Sequence, residues 1–465
     1  MGITSILNIA RNALFAQQSA LQVLSNNIAN VNTPGYARQT AVLNEADSVM
    51  TDGGLLGNGV RVEQIISNYD KYLEYSMAKQ YTSMEEQMTY EKFFTRIESV
   101  LDENNSQLTS NITAFCNAWQ TLSADPLSSV ARADVAMNGA NVAQGIRNIY
   151  TQLKGLQAEA DSNVASQITD INNLLASIAE FNKKTYETAV DGAEGSSFKT
   201  QGLAALQELS GKMNIQYFED QNGGLTVMTG DGKILVEKGT VYELSAQKDV
   251  ADNFYHVYWQ GNSVNSVDIS GAVTGGSLKS LMDLRSNQIN GFIDDINNLA
   301  QSLMTEVNAV HSTGYGAGGM TGVNFFEDMT RDFAANLDLS DEIKADSRYI
   351  AASSSASNRS NNDIALVLAG LGSSDVTIGG KTTTYVSYSA SIASTVGNLS
   401  RNASNLSQYH QNLMDIVKNQ RESVSGVSID EEMSNLIKFQ YTYQASARLI
   451  NTADALMQAL MEIAR

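Results

Sequence analysis

Apolar residues recur at every seventh position near the start of the chain. One line consists of Leu7, Leu14, Leu21 and Ile28, and the line beside it of Ile3, Ala10, Leu24 and Val31 with Gln17 as its polar member. An apolar stripe this narrow is typical of a helix that packs against a single partner helix, because a surface helix of a globular domain carries a broader apolar face. We therefore expect a partner helix elsewhere in the chain.

The matching pattern lies at the other end of the sequence. Its main line consists of Leu436, Tyr443, Ile450, Met457 and Ala464, and its companion line of Phe439, Ala453 and Leu460 with Ser446 as the polar member. Ser428 and Glu431 have the spacing of a capping box, which predicts the start of this helix. We expect the two terminal helices to pair as a coiled coil and to bring both chain ends to the same end of an elongated molecule.

Between these helices the apolar period changes several times. Helical spacing runs from about 65 to 190, with separate helices predicted around 130–160 and 162–184. From about 212 to 275, apolar and polar residues alternate between Gly-containing turns, which predicts a small β domain. Helical spacing then returns, and a stretch rich in Gly, Ser and Asn interrupts it.

The predicted fold is mainly α with β inserts, in an elongated multi-domain chain. Its parts are an axial coiled-coil segment and turn at 1–45, a helical body at 46–200, 279–311 and 386–426, a small β domain at 201–278, a loop-rich mixed insert at 312–385 and an axial coiled-coil helix at 427–465.

The stretch SNNIANVNTPGYARQ interrupts the N-terminal heptads. Thr33 precedes a proline, which disfavours the α conformation at that residue. Pro34 and Gly35 fit the central positions of a type II turn, in which Gly35 takes a positive φ. The helix is therefore predicted to end near Asn30, and Tyr36 begins an extended segment. An ordinary helix end before a strand fits the same residues, but it leaves the low charge and the distant heptad partner unexplained.

The charge of the chain excludes several classes of partner. With 50 acidic and 30 basic residues the net charge is -20, which repels phosphate backbones and anionic lipids, so we expect no nucleic-acid binding. Arg11 and Arg38 are the only charged residues before Glu45, so burial of the N-terminal segment desolvates few ions. No apolar run approaches the roughly 18 residues of a membrane span, and the start lacks the features of a cleaved signal.

No arrangement of residues indicates catalysis, a cofactor or a metal site. The single cysteine, Cys116, excludes an internal disulfide and a CxxC site, and its helical surroundings favour a buried, inert thiol. The GYGAGG stretch at 314–319 matches a dinucleotide-binding loop, but it follows a predicted helix rather than a strand and is read as a Gly turn. None of His256, His311 and His410 has a nearby Cys or carboxylate pair at ligand or triad spacing.

Both ends of the sequence resemble one family. LQVLSNNIANVNTPGYARQ resembles the N-terminal signature of the bacterial flagellar axial proteins, which include rod, hook and hook-associated subunits. SIDEEMSNLIKFQYTYQASARLINTADALMQAL is similar to the C-terminal segment of that family. SADPLSSVARADV and NAVHSTGYGAGGMTGVNFF resemble segments of its hook-associated members at the hook–filament junction. The stretch SSFKTQGLAALQELSGKMNI departs from them, since it lacks the acidic and Arg residues usual there.

The resemblance implies a non-enzymatic structural subunit that polymerises at the distal end of the hook and enables filament assembly and motility. It implies as partners further copies of the chain, the hook protein below, the next hook-associated protein above, and an export chaperone with the type III export apparatus. It implies secretion through the flagellar export channel to the hook–filament junction, without cofactor, metal, nucleic acid or membrane span. The assembly interface is expected to include Leu7, Leu14, Leu21, Leu24, Ile28, Asn30, Thr33, Pro34, Gly35, Tyr36, Leu436, Phe439, Tyr443, Ile450, Met457 and Leu460.

Two other functions fit part of the pattern. A hook or distal rod protein shares both terminal signatures, but the long helical stretches disfavour it, because hook subunits are mostly β between their ends. A secreted adhesin with axial-type termini stays open because of the loop-rich insert. A secreted hydrolase is disfavoured by the missing catalytic arrangement.

Overall fold

The computed structural model describes residues 3–33, 35–51, 54–190, 196–261 and 266–463. In these residues the helices are α1 (Ile3–Ala29), α2 (Lys71–Ala124), α3 (Ser129–Val190), α4 (Ser196–Lys212), α5 (Gly276–Asp283), α6 (Ile289–His311), α7 (Phe333–Asn336), α8 (Asp341–Ala345), α9 (Asp363–Gly370), α10 (Tyr385–Ser425) and α11 (Ile429–Ile463). Short sheets lie between them. The predicted class, mainly α with β inserts in an elongated chain, is confirmed.

Long helices build the body of the molecule. α2 begins at Asp70, whose carboxylate accepts hydrogen bonds from the N–H groups of Tyr72 and Leu73, and it ends at Asp125, before Pro126. α2 packs lengthwise against both α3 and α10, and α6 packs against α3. Their shared apolar core includes Phe93, Ile97, Trp119, Ile146, Leu153, Ile296 and Leu303. A single continuous core therefore joins segments that are far apart in sequence.

The predicted break in the third helical segment is wrong, because α3 runs without interruption through residues 130–184. Asp161, which lies between the two predicted helices, is buried inside the continuous helix. Its carboxylate pairs with the buried guanidinium of Arg285 and accepts a hydrogen bond from the N–H of Tyr255 at 2.8 Å. An ion-pair partner from a distant segment thus allows this polar residue to lie buried inside a continuous helix.

The strands form five small antiparallel sheets in the part of the chain that the structure describes. They are β1 (Gln39–Glu45), β2 (Val49–Thr51), β3 (Gly54–Leu56), β4 (Val60–Ser67), β5 (Ile215–Glu219), β6 (Leu225–Thr229), β7 (Ile234–Glu237), β8 (Thr240–Val241), β9 (Leu244–Lys248), β10 (Tyr255–Trp259), β11 (Val267–Asp268), β12 (Val376–Ile378) and β13 (Lys381–Thr383). β5 to β8 form a four-stranded meander, and β9 to β11 a three-stranded sheet centred on β10. Strands therefore occupy the predicted β region, although the helix α4 reaches into its start at 201–212.

The start of the predicted helical body, 46–200, is not helical. β1 pairs with β4, β2 pairs with β3, and the structure has strands within residues 49–67. The stretch VRVEQIIS alternates between half-buried and exposed positions only over its first four residues, and it adjoins a long helical pattern that masks it. The paired strands β1 and β4, which we call the β1–β4 hairpin, pack against α1 and cover one side of this helix.

The insert predicted at 312–385 contains short helices and one two-stranded sheet between irregular segments, and it packs on the end of the body where α2 and α3 connect. Phe325 and Phe326 are buried, and the ring centroid of Phe325 lies 5.6 Å from that of Trp119. His311 is fully buried: its Nδ1–H donates to the carbonyl oxygen of Val323, and its Nε2 accepts from the N–H of Ala351. Burial lowers the pKa of His311 to about 4, so this side chain is a neutral structural link at ordinary pH.

Candidate assembly interface

The terminal helices α1 and α11 pack side by side. Asn27, near the end of α1, donates a hydrogen bond to Glu432, near the start of α11, so the two helices run antiparallel. Within the two heptad lines, the buried residues of α1 are Ala10, Gln17 and Leu24, and the buried residues of α11 are Glu432, Ser446 and Ala453. Each line keeps the seven-residue spacing, so the predicted pairing of the chain ends is present.

The predicted seam residues occupy three environments. Leu24 is buried, with 6 % of its surface exposed. Half-buried residues are Leu7, Leu14, Leu21, Ile28, Leu436, Phe439 and Ile450, whereas Tyr443, Met457 and Leu460 are exposed. The small residues Ala10, Ser446 and Ala453 lie at the centre of the contact because they let the backbones approach, and the larger side chains flank them. The companion line is therefore the more buried of the two, and the single chain leaves part of the main line uncovered.

In the residues that the structure describes, the turn after α1 has the predicted helix end and the predicted positive φ at Gly35. α1 ends at Ala29, and Gly35 has a φ of 76°, in the region that favours glycine. The Nδ2 of Asn30 donates to the backbone oxygen of Asn26, and the hydroxyl of Thr33 donates to the Oδ1 of Asn30. Pro34 lies outside the described residues. The turn thus sends the chain away from the helix axis into β1.

A buried polar cluster, which we call the base node, joins this turn to α11. It consists of Asn27, Tyr36, Arg38, Gln39 and Glu432. The Asn27 side chain accepts from the hydroxyl of Tyr36 and the N–H of Gln39, both at 2.9 Å. It donates to the carbonyl oxygen of Gln39 at 2.8 Å and to Glu432 at 3.0 Å. These four bonds use the full hydrogen-bonding capacity of an amide side chain.

Glu432 in the base node is a fully buried carboxylate. Its Oε1 accepts from the Nε of Arg38 at 2.7 Å. On the exposed side of the same guanidinium, the Oε2 of Glu431 accepts from Nη1 at 3.1 Å. Burial and the charge of Glu432 raise the pKa of Tyr36 to about 12, so its hydroxyl stays protonated and donates to Asn27. The base node therefore holds together three parts of the chain: the end of α1, the start of β1 and the first turn of α11.

A second set of contacts holds this end of the molecule to the helical body. Arg421, near the end of α10, donates from Nε to Glu74 and from Nη2 to the carbonyl oxygen of Gly35, both at 2.7 Å. The N–H of Arg38 donates to the carbonyl oxygen of Ser425 at 2.8 Å. The axial helices are thus fixed to α2 and α10 through the turn rather than by a loose linker.

Sequence reasoning missed the buried polar members of these contacts. Asn27 lies within the quoted turn stretch, and Glu432 directly follows the capping-box residue Glu431. A run of acidic residues in the first turn of a helix is normally a solvated complement to the helix dipole. The one sequence feature that pointed to a buried carboxylate was Arg38. It is one of two charged residues in the N-terminal segment, and a buried Arg needs a carboxylate partner.

α11 carries many exposed large apolar side chains. They are Ile429, Met433, Ile437, Tyr441, Tyr443, Leu449, Leu456, Met457, Leu460, Met461 and Ile463. Among the described residues of this helix, the buried ones are Glu432, Ser446 and Ala453. A folded chain that leaves this much apolar surface in water has a contact surface for another protein.

The remaining chemistry of the chain is sparse. Nowhere in the described ranges do three His, Cys, Asp or Glu side chains come close enough to hold a metal ion. Searching the same ranges for a helix long and apolar enough to cross a membrane gives none. Burial raises the pKa of the Cys116 thiol to about 11, which disfavours the reactive thiolate.

Comparison with known proteins locates three family models along the chain. The model described as the flagellar hook-associated protein FlgK helical domain matches residues 94–326. Models described as flagella basal body rod protein and as flagellar basal body rod FlgEFG protein C-terminal match residues 7–36 and 418–463. The last two matches fall on α1 with its turn and on the end of α10 with α11.

Individual relatives match over nearly the whole length. Flagellar hook-associated protein 1 of Bacillus subtilis is 27 % identical, with 98 % of this chain and 97 % of the relative covered. The protein of the same name from Salmonella typhimurium is 24 % identical, with 99 % and 100 % covered. The solved flagellar hook junction protein FlgK from Burkholderia pseudomallei aligns with a TM-score of 0.68 at 14 % identity, over 75 % of this chain and 100 % of that one. At this identity the structural match is evidence for the fold.

Proposed function

Because the chain belongs to the flagellar hook-associated protein family through its matching helical domain, we propose that it forms the hook–filament junction of the bacterial flagellum. In this role it is a structural subunit that polymerises at the distal end of the hook and enables filament assembly and motility. Relatives that match over nearly its full length carry the name of hook-associated protein 1, which supports this role over that of a rod or hook subunit.

The observation that carries the proposal is the uncovered apolar face of the paired terminal helices. α1 and α11 bury each other along one side only, and α11 exposes large apolar residues along its whole length. The base node fixes this pair to the helical body, so the exposed face has a defined orientation. A rigid, sparsely charged apolar helix pair suits the inner wall of a tube of identical subunits.

The finer assignments follow from the same role. The partners are further copies of the chain, the hook protein below and the next hook-associated protein above. The chain is exported by the type III apparatus through the flagellar channel with the help of a chaperone. Before assembly the terminal helices lack part of their partners and are the first segments to open to proteases.

The rival functions fit the molecule less well. A hook or distal rod protein shares the terminal helices, but hook subunits are mostly β between their ends, whereas this chain is 65 % helical. An adhesin would present the insert at 312–385 as a separate surface module. Here the insert buries Phe325, Phe326 and Leu337 in the same core as the helical body, which favours a structural role.

Deletion of the gene in the source organism tests the proposal. We expect hooks of normal length without filaments and flagellin released into the medium, both visible by electron microscopy and by blotting of the culture fluid. Absent hooks would assign the chain to the hook or rod instead. Normal filaments would contradict a role in the flagellar axis altogether.

A further inference from the structure

His256 lies on β10, the central strand of the sheet formed by β9 to β11, and has a carboxylate at each of its two ring nitrogens. Its Nδ1 is 3.1 Å from the Oδ2 of Asp268, and its Nε2 is 3.2 Å from the Oδ2 of Asp252. Asp268 belongs to the edge strand β11, whereas Asp252 belongs to the turn between β9 and β10. One imidazole ring therefore joins two separate parts of the sheet.

Both carboxylates are held in place by backbone groups of their own turns. The Oδ1 of Asp252 accepts from the N–H of Phe254 at 2.9 Å. The Oδ1 of Asp268 accepts from the N–H of Ser270 at 2.8 Å. Because one oxygen of each carboxylate is fixed in this way, the other oxygen stays directed at the ring.

The protonation state of the ring decides whether both hydrogen bonds can form. An ionised carboxylate only accepts hydrogen bonds, and a neutral imidazole has a single N–H. Two carboxylates can therefore accept from one ring only when it is the imidazolium, which carries an N–H on each nitrogen. In the neutral ring, one nitrogen lone pair would point at a carboxylate oxygen. The observed geometry is that of a charged histidine.

The charges around the ring favour this charged form. The titratable and charged groups near it come from several elements: Asp249 and Asp252 of the turn, Tyr258 of β10, Asp268 of β11, and Arg285 and Asp161 of the helical body. Arg285 and Asp161 are buried and pair with each other, so they add little net charge at the ring. Burial alone would lower the pKa of His256, but the hydrogen bonds to Asp268 and Asp252 and the charges of both raise it above its ordinary value of 6.5.

The edge strand β11 has few other contacts that hold it. It consists of two residues, Val267 and Asp268, which both pair with β10. Directly after it, the N–H of Ile269 donates to the carbonyl oxygen of Val257 at 2.8 Å. A strand this short opens easily, so the hydrogen bond from the imidazole to Asp268 contributes a large share of what keeps it paired.

We propose that His256 is a proton-controlled latch, which ties β11 to the β9–β10 turn as the imidazolium and releases β11 as the neutral ring. The pKa in the folded chain is raised, so the stabilisation is fully present below the ordinary value of 6.5 and is lost as the pH rises through the folded-state value. The sheet is thus held most firmly in mildly acidic surroundings and loosens in alkaline ones. This device acts within one chain and does not depend on the role of the chain in the flagellum.

Titration of the histidine rings by nuclear magnetic resonance tests the first part of the proposal. The full-length chain has three histidines, so the ring signals of an isotope-labelled sample can be assigned with His256→Gln and His410→Gln. We expect a pKa above 6.5 for His256, with an N–H on both ring nitrogens below that pKa. A pKa of 6.5 or lower would overturn the latch.

Amide hydrogen exchange measured by mass spectrometry tests the release of β11. Each rate is divided by that of the unfolded peptide at the same pH, because unprotected exchange itself depends on pH. Between about pH 5.5 and about pH 9, we expect the protection of the peptide that contains Ile269 to fall at least about threefold, as for the loss of one hydrogen bond. His256→Gln should remove this pH dependence. The control His410→Gln should keep it, since His410 faces the amide of Gln80. The same fall in His256→Gln would assign it to another group and overturn the proposal.

Asp268→Asn distinguishes the latch from a general effect of surface charge. The amide keeps an oxygen for the N–H of Ser270 and presents an N–H to Nδ1, so it can donate to a neutral ring whose Nε2 still donates to Asp252. We expect a lower pKa for His256 and a protection of β11 that no longer falls as the pH rises. Protection that still falls as in the natural chain would contradict the latch.

Discussion

Leu24→Asp is expected to abolish assembly while the helical body and the β sheets stay folded. Leu24 is 6 % exposed in the contact between α1 and α11. Burying an unpaired carboxylate in this contact costs several kcal/mol, more than two helices held mainly by each other can tolerate. The body keeps its own continuous core, which contains neither α1 nor α11. We therefore expect a full loss of filaments. The far-ultraviolet circular dichroism of the purified chain should lose no more helical signal than the two terminal helices contribute.

The matched control is Ser25→Asp, one residue further along α1 and exposed. It adds the same charge without entering the helix contact and should assemble like the natural chain. Leu21→Asp and Ile450→Asp change half-buried residues of the same contact and should also prevent assembly. Filaments counted by electron microscopy in a complemented deletion strain give the readout. Normal assembly of Leu24→Asp would mean that the terminal pair is not needed in the polymer.

Glu432→Ala is expected to release α11 from the base node. Removal of this fully buried carboxylate leaves Arg38 without its shortest ion pair and takes an acceptor from the buried Asn27. Breaking one side of a buried ion pair costs about 3 kcal/mol or more. A loss of that size opens the start of α11 on the order of a hundredfold more often, and amide hydrogen exchange in this helix should speed up accordingly.

Glu431→Ala provides the comparison, because Glu431 binds the same guanidinium but its side chain is 63 % exposed. An exposed ion pair contributes less than about 1 kcal/mol, so hydrogen exchange in α11 should change less than about fivefold. Equal effects of the two variants would show that the node acts through surface charge rather than through a buried carboxylate. Unchanged exchange in Glu432→Ala would remove the node from the account of how the terminal helices are held.

The regular spacing of apolar residues within each segment was enough to predict the architecture. The heptads of α1 and α11, the end of α1 before the turn and the class of the fold depend on spacing within one segment, which the sequence displays directly. The hairpin at 49–67 was missed because its strands are short and adjoin the long helical pattern of α2.

Features that depend on two distant segments could not be read in the same way. Asp161 lies between the two predicted helices, and only the approach of Arg285 makes it an interior residue. Glu432 has the appearance of a solvated cap, and only the return of Arg38 beside it reveals a buried partner. Which line of the heptad is central depends on how closely the helices approach, and small residues such as Ala10 and Ala453 decide that.

Cryo-electron microscopy of intact hook–filament junctions tests the central claim most directly. The account predicts a layer of this chain between hook and filament, with α1 and α11 on the channel wall and the helical body outside them. Density of this chain along the whole hook, a junction layer built by another protein, or terminal helices placed on the outer surface would contradict it.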